Sequence, residues 1–153
     1  MNRFPSRFAR CLPALVALLL AACDHGLAPP DVPPSGAIRA TITYRGAWPP
    51  ADSLFDLRFV AMPFVPRDTA DILDLARIVF SPQPLPYHVS ADTVVLVGVP
   101  AKTFVYSGVA QRYTSSFVAW RPVGLVEADG RIPAAQNVSA GTYSDVLTVT
   151  VEF

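Results

Sequence analysis

The sequence predicts an all-β protein: an antiparallel Greek-key β-sandwich of about seven strands with at most one short helix. Three observations support this prediction. Apolar and polar residues alternate with period two through much of the chain after residue 37, glycines and prolines separate these segments, and helical spacing of apolar residues is scarce. Strand-like segments at intervals of roughly 10 to 20 residues fit two packed antiparallel sheets better than a parallel α/β sheet.

The first 22 residues have the three-zone layout of a secretory signal peptide. Arg3, Arg7 and Arg10 precede an apolar stretch over residues 12–22, and these 22 residues contain no acidic side chain. The apolar stretch is about half as long as the roughly 20 residues that a helix needs to cross the hydrocarbon core of a bilayer. A permanent transmembrane span is therefore not expected here.

The signal ends in Leu20-Ala21-Ala22-Cys23, which resembles the bacterial lipobox, an apolar residue and two small residues before an obligatory cysteine. The resemblance implies that the Cys23 thiol receives a diacylglycerol and that the chain is cut just before Cys23. A thiolate is the nucleophile that such a transfer needs. Several acyl chains anchor a protein durably, whereas one myristoyl-sized chain binds only marginally. We therefore expect a lipoprotein anchored in a membrane of the bacterial cell envelope, on the periplasmic face or the cell surface.

Both cysteines of the chain, Cys11 and Cys23, lie in the first 23 residues, so the folded part can hold no internal disulfide. An ordinary secretory signal with cleavage after small residues is the alternative to the lipobox, and it would leave a free thiol on an exported protein. Asp24 resembles an inner-membrane retention signal of enteric bacteria. The sequence leaves the choice between inner and outer membrane open.

Residues 23–36 form a tether between the anchor and the folded domain, which we place at residues 37–153. Prolines, glycines and a serine dominate residues 24–36, DHGLAPPDVPPSG, and this composition is typical of an extended linker. At about 3.1 Å per residue the tether could lift the domain roughly 40 Å from the bilayer.

Within the domain, the elements follow from the spacing of apolar residues. The predicted strands are residues 38–45, 56–63, 93–99, 103–111, 117–123 and 147–153. The run at 93–99, TVVLVGV, is apolar throughout and predicts a strand buried on both faces. Residues 69–78 predict the one short helix, capped by Asp68. Residues 81–87, SPQPLPY, predict a loop or an edge segment, because proline cannot donate to a strand ladder.

The order of these segments resembles the transthyretin-like, carboxypeptidase-regulatory-like β-sandwich over residues 36–153. The opening GAIRATITYRG resembles the first strand of that family. The segments VGVPAKTFVYSGVAQ and VSAGTYSDVLTVTVEF resemble its characteristic turn with the following strand and its closing strand. Lys102 departs from the pattern, since the family usually has glycine there. The resemblance implies a folding, spacing or interaction module and no catalytic residues.

Groups suited to catalysis or metal binding are few in the folded part. His88 could centre a Ser-His-Asp triad, but no nucleophile elbow accompanies it. Asp68, Asp71 and Asp74 recur every three residues, yet this spacing lacks the glycine and closing glutamate of an EF-hand loop. We expect a non-catalytic protein without a cofactor or metal. An envelope enzyme or metal-binding protein based on these four residues is the alternative, and a passive spacer is a second one.

Trp48 and Trp120 are the candidate ligand-binding residues, because flat aromatic rings pack well on peptides and sugars. The expected partners are the membrane, through the covalent lipid, and an envelope protein or a glycan. A nucleic-acid partner is not expected. Three of the 12 basic residues lie in the signal peptide, so the remaining chain carries all 12 acidic residues and fewer basic ones. Nucleic-acid-binding proteins instead concentrate an excess of basic residues on one face.

Overall fold

The structure, a computed structural model, describes residues 31–153. The predicted signal peptide, its cleavage motif Leu20-Ala21-Ala22, the anchor residue Cys23 and much of the tether therefore lie outside the described residues. Pro33–Phe153 forms one compact unit. Within residues 31–153, no helix combines the length and the apolar character needed to cross a bilayer.

The domain is built almost entirely of strands, as the period-two alternation predicts. The strands are β1 (Ser35–Arg45), β2 (Asp56–Met62), β3 (Val79–Phe80), β4 (Ala91–Pro100), β5 (Thr103–Phe104), β6 (Tyr106–Arg112), β7 (Trp120–Glu127), β8 (Gln136–Asn137) and β9 (Tyr143–Glu152). Seven of them form one sheet in the order β3-β2-β6-β7-β9-β1-β4, and β5 pairs separately with β8. The predicted all-β fold of about seven strands is confirmed.

The seven-stranded sheet curls so strongly that it nearly closes on itself. Its halves, β3-β2-β6-β7 and β9-β1-β4, are joined by only two register pairs, Val126 with Val149 and Glu127 with Thr148. Side chains from both halves contribute to a single hydrophobic core. The fully buried core members from the two halves include Ile38, Ala40, Ile42, Leu57, Phe59, Ala61, Val126, Val149 and Val151. The two halves thus form the layers of the sandwich.

One strand pair departs from the antiparallel pattern, since β1 and β9 run parallel. These strands are the first and the last of the domain, and no hairpin links them. Their relative direction is therefore set by packing rather than by a turn. The alternation of buried and exposed residues along both strands follows the sequence pattern.

The prediction that residues 93–99 are buried on both faces is wrong. β4 is an edge strand of the sheet, and Val95 and Val97 are 44% and 75% exposed. Val94, Leu96 and Val99 face the core. An apolar run predicts a strand, but it does not show whether other residues cover the outer face of that strand. Here the described residues leave the outer face of β4 open.

Helix α1 (Thr69–Leu73) is the one short helix that the sequence predicts, and it ends before residue 78. Asp68 caps it, because its Oδ1 accepts a hydrogen bond from the Asp71 amide at 3.0 Å. The Arg77 amide then donates to the Asp74 carbonyl in a turn. A single turn of 3-10 helix spans Ala51–Ser53. Residues 81–87 form a loop along the edge of β2, as predicted.

Candidate functional site

An apolar groove runs over the outer face of β2 and β6, on the side of the sheet away from the core. Val60 and Met62 reach it because they alternate along β2 with Phe59 and Ala61, which point into the core. Ala110 on β6 lies at the floor, and its small side chain leaves room above it. The groove has a volume of about 270 Å³. Its floor is thus apolar, and it is built on rigid strands.

Two walls flank the floor strands β2 and β6, because β3 lies beyond β2 and β7 lies beyond β6. Leu73 from α1, Leu75 from the following turn and Phe80 on β3 form one wall. Phe117, from the loop between β6 and β7, and Trp120, at the start of β7, form the other. A smaller cavity of about 40 Å³ continues the groove along the same strands and shares Trp120 with it.

The Trp120 indole presents its apolar surface to the groove. Its Nε1 donates a hydrogen bond to the Phe117 carbonyl at 2.8 Å. An indole has a single hydrogen-bond donor and no acceptor, so this bond satisfies its only polar atom. The bond also ties the two aromatic wall residues together. Trp120 was a candidate ligand residue in the sequence, and the structure places it in the groove.

The rim of the groove exposes large apolar side chains. Phe117 is 80% exposed and Leu75 63%. Leu73 and Phe80 are each about two-fifths exposed. Exposed apolar residues scattered singly are common, whereas a cluster around a concave surface marks a binding site more often than not.

Arg58 lies at one end of the groove and has a structural role. Its Nε donates to the Asp56 carboxylate at 2.9 Å, and its NH1 donates to the Ser81 and Pro82 carbonyls, each at 2.7 Å. These bonds hold the segment after β3 against β2. Arg58 thus uses three of its five N–H donors within the domain.

Arg112 carries positive charge beside the aromatic wall, whereas Arg121 lies on the opposite face of β7 from Trp120. The Arg112 guanidinium lies 5.3 Å from the ring centre of Phe117, and that of Arg121 lies 5.5 Å from the ring centre of Tyr113. Arg121 also donates to the side-chain oxygen of Gln111 at 3.0 Å. Within residues 31–153 neither arginine forms a salt bridge. This rim would therefore attract an acidic group.

Asp68, Asp71 and Asp74 do not converge on a common point. Asp68 caps α1, Asp71 pairs with Arg67 at 3.2 Å, and Asp74 pairs with Arg77 at 3.6 Å. The backbone amide and the guanidinium of Arg67 hold the pKa of Asp71 below its ordinary value. In the described part of the chain, no three His, Cys, Asp or Glu side chains lie close enough together to hold a metal ion.

Trp48 and His88 lie away from the groove, in an aromatic cluster at one end of the domain. The ring centre of Trp48 is 4.9 Å from that of Tyr44, 4.7 Å from that of Phe153 and 5.4 Å from that of His88. Trp48 is half-buried against the core. Trp48 therefore packs against aromatic rings in this cluster and does not line the groove, and His88 lies beside it.

Tyr44 in this cluster leads to a prediction about stability in alkali. Its hydroxyl is buried and has no hydrogen-bond partner among the described residues. Burial, with a smaller effect of the Asp92 carboxylate, raises the pKa of Tyr44. The pKa of Tyr44 is therefore higher in the folded state than its unfolded value of about 10. The neutral phenol contributes its full share of stability below pH 10, and this contribution is lost as the pH rises from 10 toward the pKa of the folded state.

We expect Tyr44→Phe to leave the free energy of unfolding unchanged at pH 7, or to raise it by up to about 1 kcal/mol, because it removes an unpaired buried hydroxyl. The variant should also lose less stability than the parent between pH 10 and pH 12. Guanidinium unfolding at pH 7, 10 and 11.5 measures both effects, with Tyr143→Phe on an exposed tyrosine as control. A clear destabilisation at pH 7 would show that the hydroxyl has a partner.

A wider depression of about 680 Å³ lies where β7 diverges from β9. Polar and charged groups, among them Arg121, Glu127 and Glu152, make up much of its lining. It is larger than the groove and more open to solvent. The groove is the better candidate site, because its more apolar and less open lining removes more apolar ligand surface from water.

Comparison of the chain with protein-family models, with curated proteins and with solved structures found no match. The resemblance to transthyretin-like sandwiches therefore stays a prediction. Sequence reasoning identified Trp120 but missed Leu73, Leu75, Phe80 and Phe117 as parts of the site. A signal for these residues was present in the sequence: large apolar side chains occur in segments that are too short or irregular to form helices or strands of the core.

Proposed function

We propose that this protein is a non-catalytic lipoprotein of the bacterial cell envelope, which binds an apolar segment of another envelope component in the groove over β2 and β6. The observation that carries the proposal is the groove itself, walled by Leu75 and Phe117 and floored by Ala110. The lipobox-like Leu20-Ala21-Ala22-Cys23 supplies the predicted membrane anchor, and residues 23–36 supply the tether.

A protein segment suits the groove better than a glycan does. Sugars require several side-chain donors and acceptors beside a flat ring. The groove lining is mostly aliphatic, and its one arginine, Arg58, uses three of its five donors within the domain. The volume of about 270 Å³ also lies just below the usual range for small-molecule sites of roughly 300–1,000 Å³. One or two large apolar side chains of a partner would fill it.

The charge of the rim refines the partner further. Arg112 lies beside Phe117 of the aromatic wall without a salt bridge among the described residues. A partner segment with an acidic residue next to its apolar anchor would bind more tightly, because the groove would hold the apolar anchor and the charged rim would attract the acidic residue. Rim charges act mainly on the rate of association, so binding should weaken as the salt concentration rises.

The alternative functions have less support. A passive spacer requires no concave apolar surface, so the groove favours a binding protein. An enzyme based on His88 or on the Asp68 to Asp74 segment requires these residues to meet in a pocket. In the described structure the three aspartates instead pair with a helix end and two arginines.

Site-directed photo-crosslinking tests the proposal. A photoreactive residue at Phe117 should capture a partner in cells that express the full chain, and one at Tyr143, exposed on β9, is the matched control. Ala110→Trp fills the floor from outside the core and should abolish capture at 117 without unfolding the protein. The same capture at 143, or capture that survives Ala110→Trp, would contradict the proposal.

A second prediction concerns the charged rim. We expect Arg112→Gln to weaken binding several-fold at low salt and to flatten its dependence on salt. Titration of the captured partner against the full chain at two salt concentrations measures this, with Arg131→Gln as a control on an exposed arginine outside the groove. An equal loss of binding in the Arg131→Gln control would mean that the net charge of the protein, and not the charge of the rim, determines the affinity.

A further inference from the structure

The edge of β4 presents backbone groups that have no partner in the described structure. β4 pairs with β1 on one side only, because it is the last strand of the sheet. The Tyr44 amide donates to the Ser90 carbonyl at 3.0 Å, toward β4, whereas the Arg39 amide donates to Ser144 Oγ at 3.2 Å, toward β9. Even-numbered residues of β1 from 38 to 44 therefore direct their backbone groups toward β4, and odd-numbered residues direct theirs away from it.

The register then identifies the free groups on β4. Val95 lies opposite Arg39 and Thr93 opposite Thr41, so neither residue exchanges hydrogen bonds with β1. Ala91 and Val97 face outward in the same way, since their partners on β1 are Thr43 and Ala37. None of the turn, loop or side-chain hydrogen bonds of the described residues uses the backbone of these four β4 residues either. Each offers one N–H and one C=O to an incoming strand.

The part of this edge from Ala91 to Val97 lacks most of the usual protection against pairing. Strand edges are commonly blocked by lysine, by proline or by a bulge that twists the edge away. β4 has one bulge, at Gly98, where the register with β1 shifts and φ is +70°, and its only proline is the last residue, Pro100. Both lie beyond Val97, and the outward-facing residues before them are uncharged. Val95 and Val97 also expose their side chains beside the open backbone.

We propose that β4 pairs antiparallel with β4 of a second copy of this chain. A two-fold axis between the strands places Ala91 opposite Val97 and Thr93 opposite Val95, and this register uses the free groups of all four residues at once. No charge opposes the contact, because Asp92 then lies opposite Leu96 rather than opposite the second Asp92. Each exposed valine gains a neighbour across the new strand pair. This surface is separate from the groove, and the inference does not depend on the lipid anchor.

Thiol crosslinking in cells that express the full chain tests this inference. Val95→Cys adds a thiol that the two-fold pairing brings to about 7–8 Å from its copy, within reach of a short bismaleimide. Ser115→Cys, exposed in the loop between β6 and β7, is the collision control, and the parent chain measures the background from Cys11 and Cys23. We expect several-fold more crosslinked dimer from Val95→Cys than from either control.

Two changes at Thr93 block the pairing in the Val95→Cys chain. Thr93→Pro removes an outward N–H that β1 does not use, so the fold should survive. Thr93→Lys keeps the backbone and sets two like charges across the two-fold axis, which provides the test if the proline variant does not fold. Both should reduce the dimer to the level of the controls. A dimer that either folded variant leaves unchanged, a dimer no stronger than the Ser115→Cys product, or a product with a different protein would overturn the inference.

Discussion

Replacing Gly108 by alanine is expected to lower the free energy of unfolding by about 3 kcal/mol, the upper end of the usual cost of overpacking. A Cβ at this position would lie far inside van der Waals contact with the carbonyl oxygen of Gly124, and 2.8 Å from the Cα of Leu125. The obstacle is backbone of the neighbouring strand, which cannot rotate away as a side chain would. β6 and β7 would have to separate.

The cause of this close approach is an irregularity in the β6–β7 pairing. The register shifts between Val109 and Ala110, which pair with Gly124 and Pro122. The extra residue of β7 brings the Gly124 carbonyl over Gly108. Because Gly108 also lines the small cavity that continues the groove, the substitution should disturb the floor of the candidate site as well.

Gly98→Ala is the matched control for Gly108→Ala. Gly98 has a φ of +70°, but nothing lies within 4 Å of an added Cβ. The control should therefore cost only about 1 kcal/mol, through backbone strain. Guanidinium unfolding of both variants and the parent measures the difference. Equal, small losses would mean that β6 and β7 are not in such close contact.

The parts of the fold that depend on local pattern could be predicted from the sequence. Alternation in residues 38–45 and 147–153 corresponds to β1 and β9 with the predicted faces buried. Asp68 marks the start of α1 because a carboxylate that accepts a hydrogen bond from an amide in the first helical turn is a local interaction.

The parts that depend on long-range packing could not be predicted. No turn in the sequence links β1 to β9, so their parallel pairing leaves no local signal. The edge position of β4 depends on which strands lie beside it. The same holds for the groove. Leu75 and Phe117 are more than 40 positions apart in the chain, and only the order of β2, β6 and β7 brings them to the same surface.

The anchor is the claim on which the proposed location of the protein depends, and it predicts the largest effect of any single substitution. Cys23→Ala removes the only thiol that the lipobox-like motif offers for lipid attachment. Without acyl chains the domain loses its predicted lipid anchor, since durable lipid attachment requires two or more chains. Cleavage before residue 23 should fail at the same time, because it depends on the modified cysteine. Cys11→Ala, inside the predicted signal peptide, should change neither processing nor location.

The measurement that tests this claim most directly is the intact mass of the protein extracted from the membrane fraction, beside that of the Cys23→Ala variant. We expect the parent to lack residues 1–22 and to carry an added lipid mass. The variant should keep those residues and carry no lipid. A parent protein that is cleaved, unlipidated and recovered in the soluble fraction would contradict the anchor, and the groove would then belong to a freely secreted binding protein.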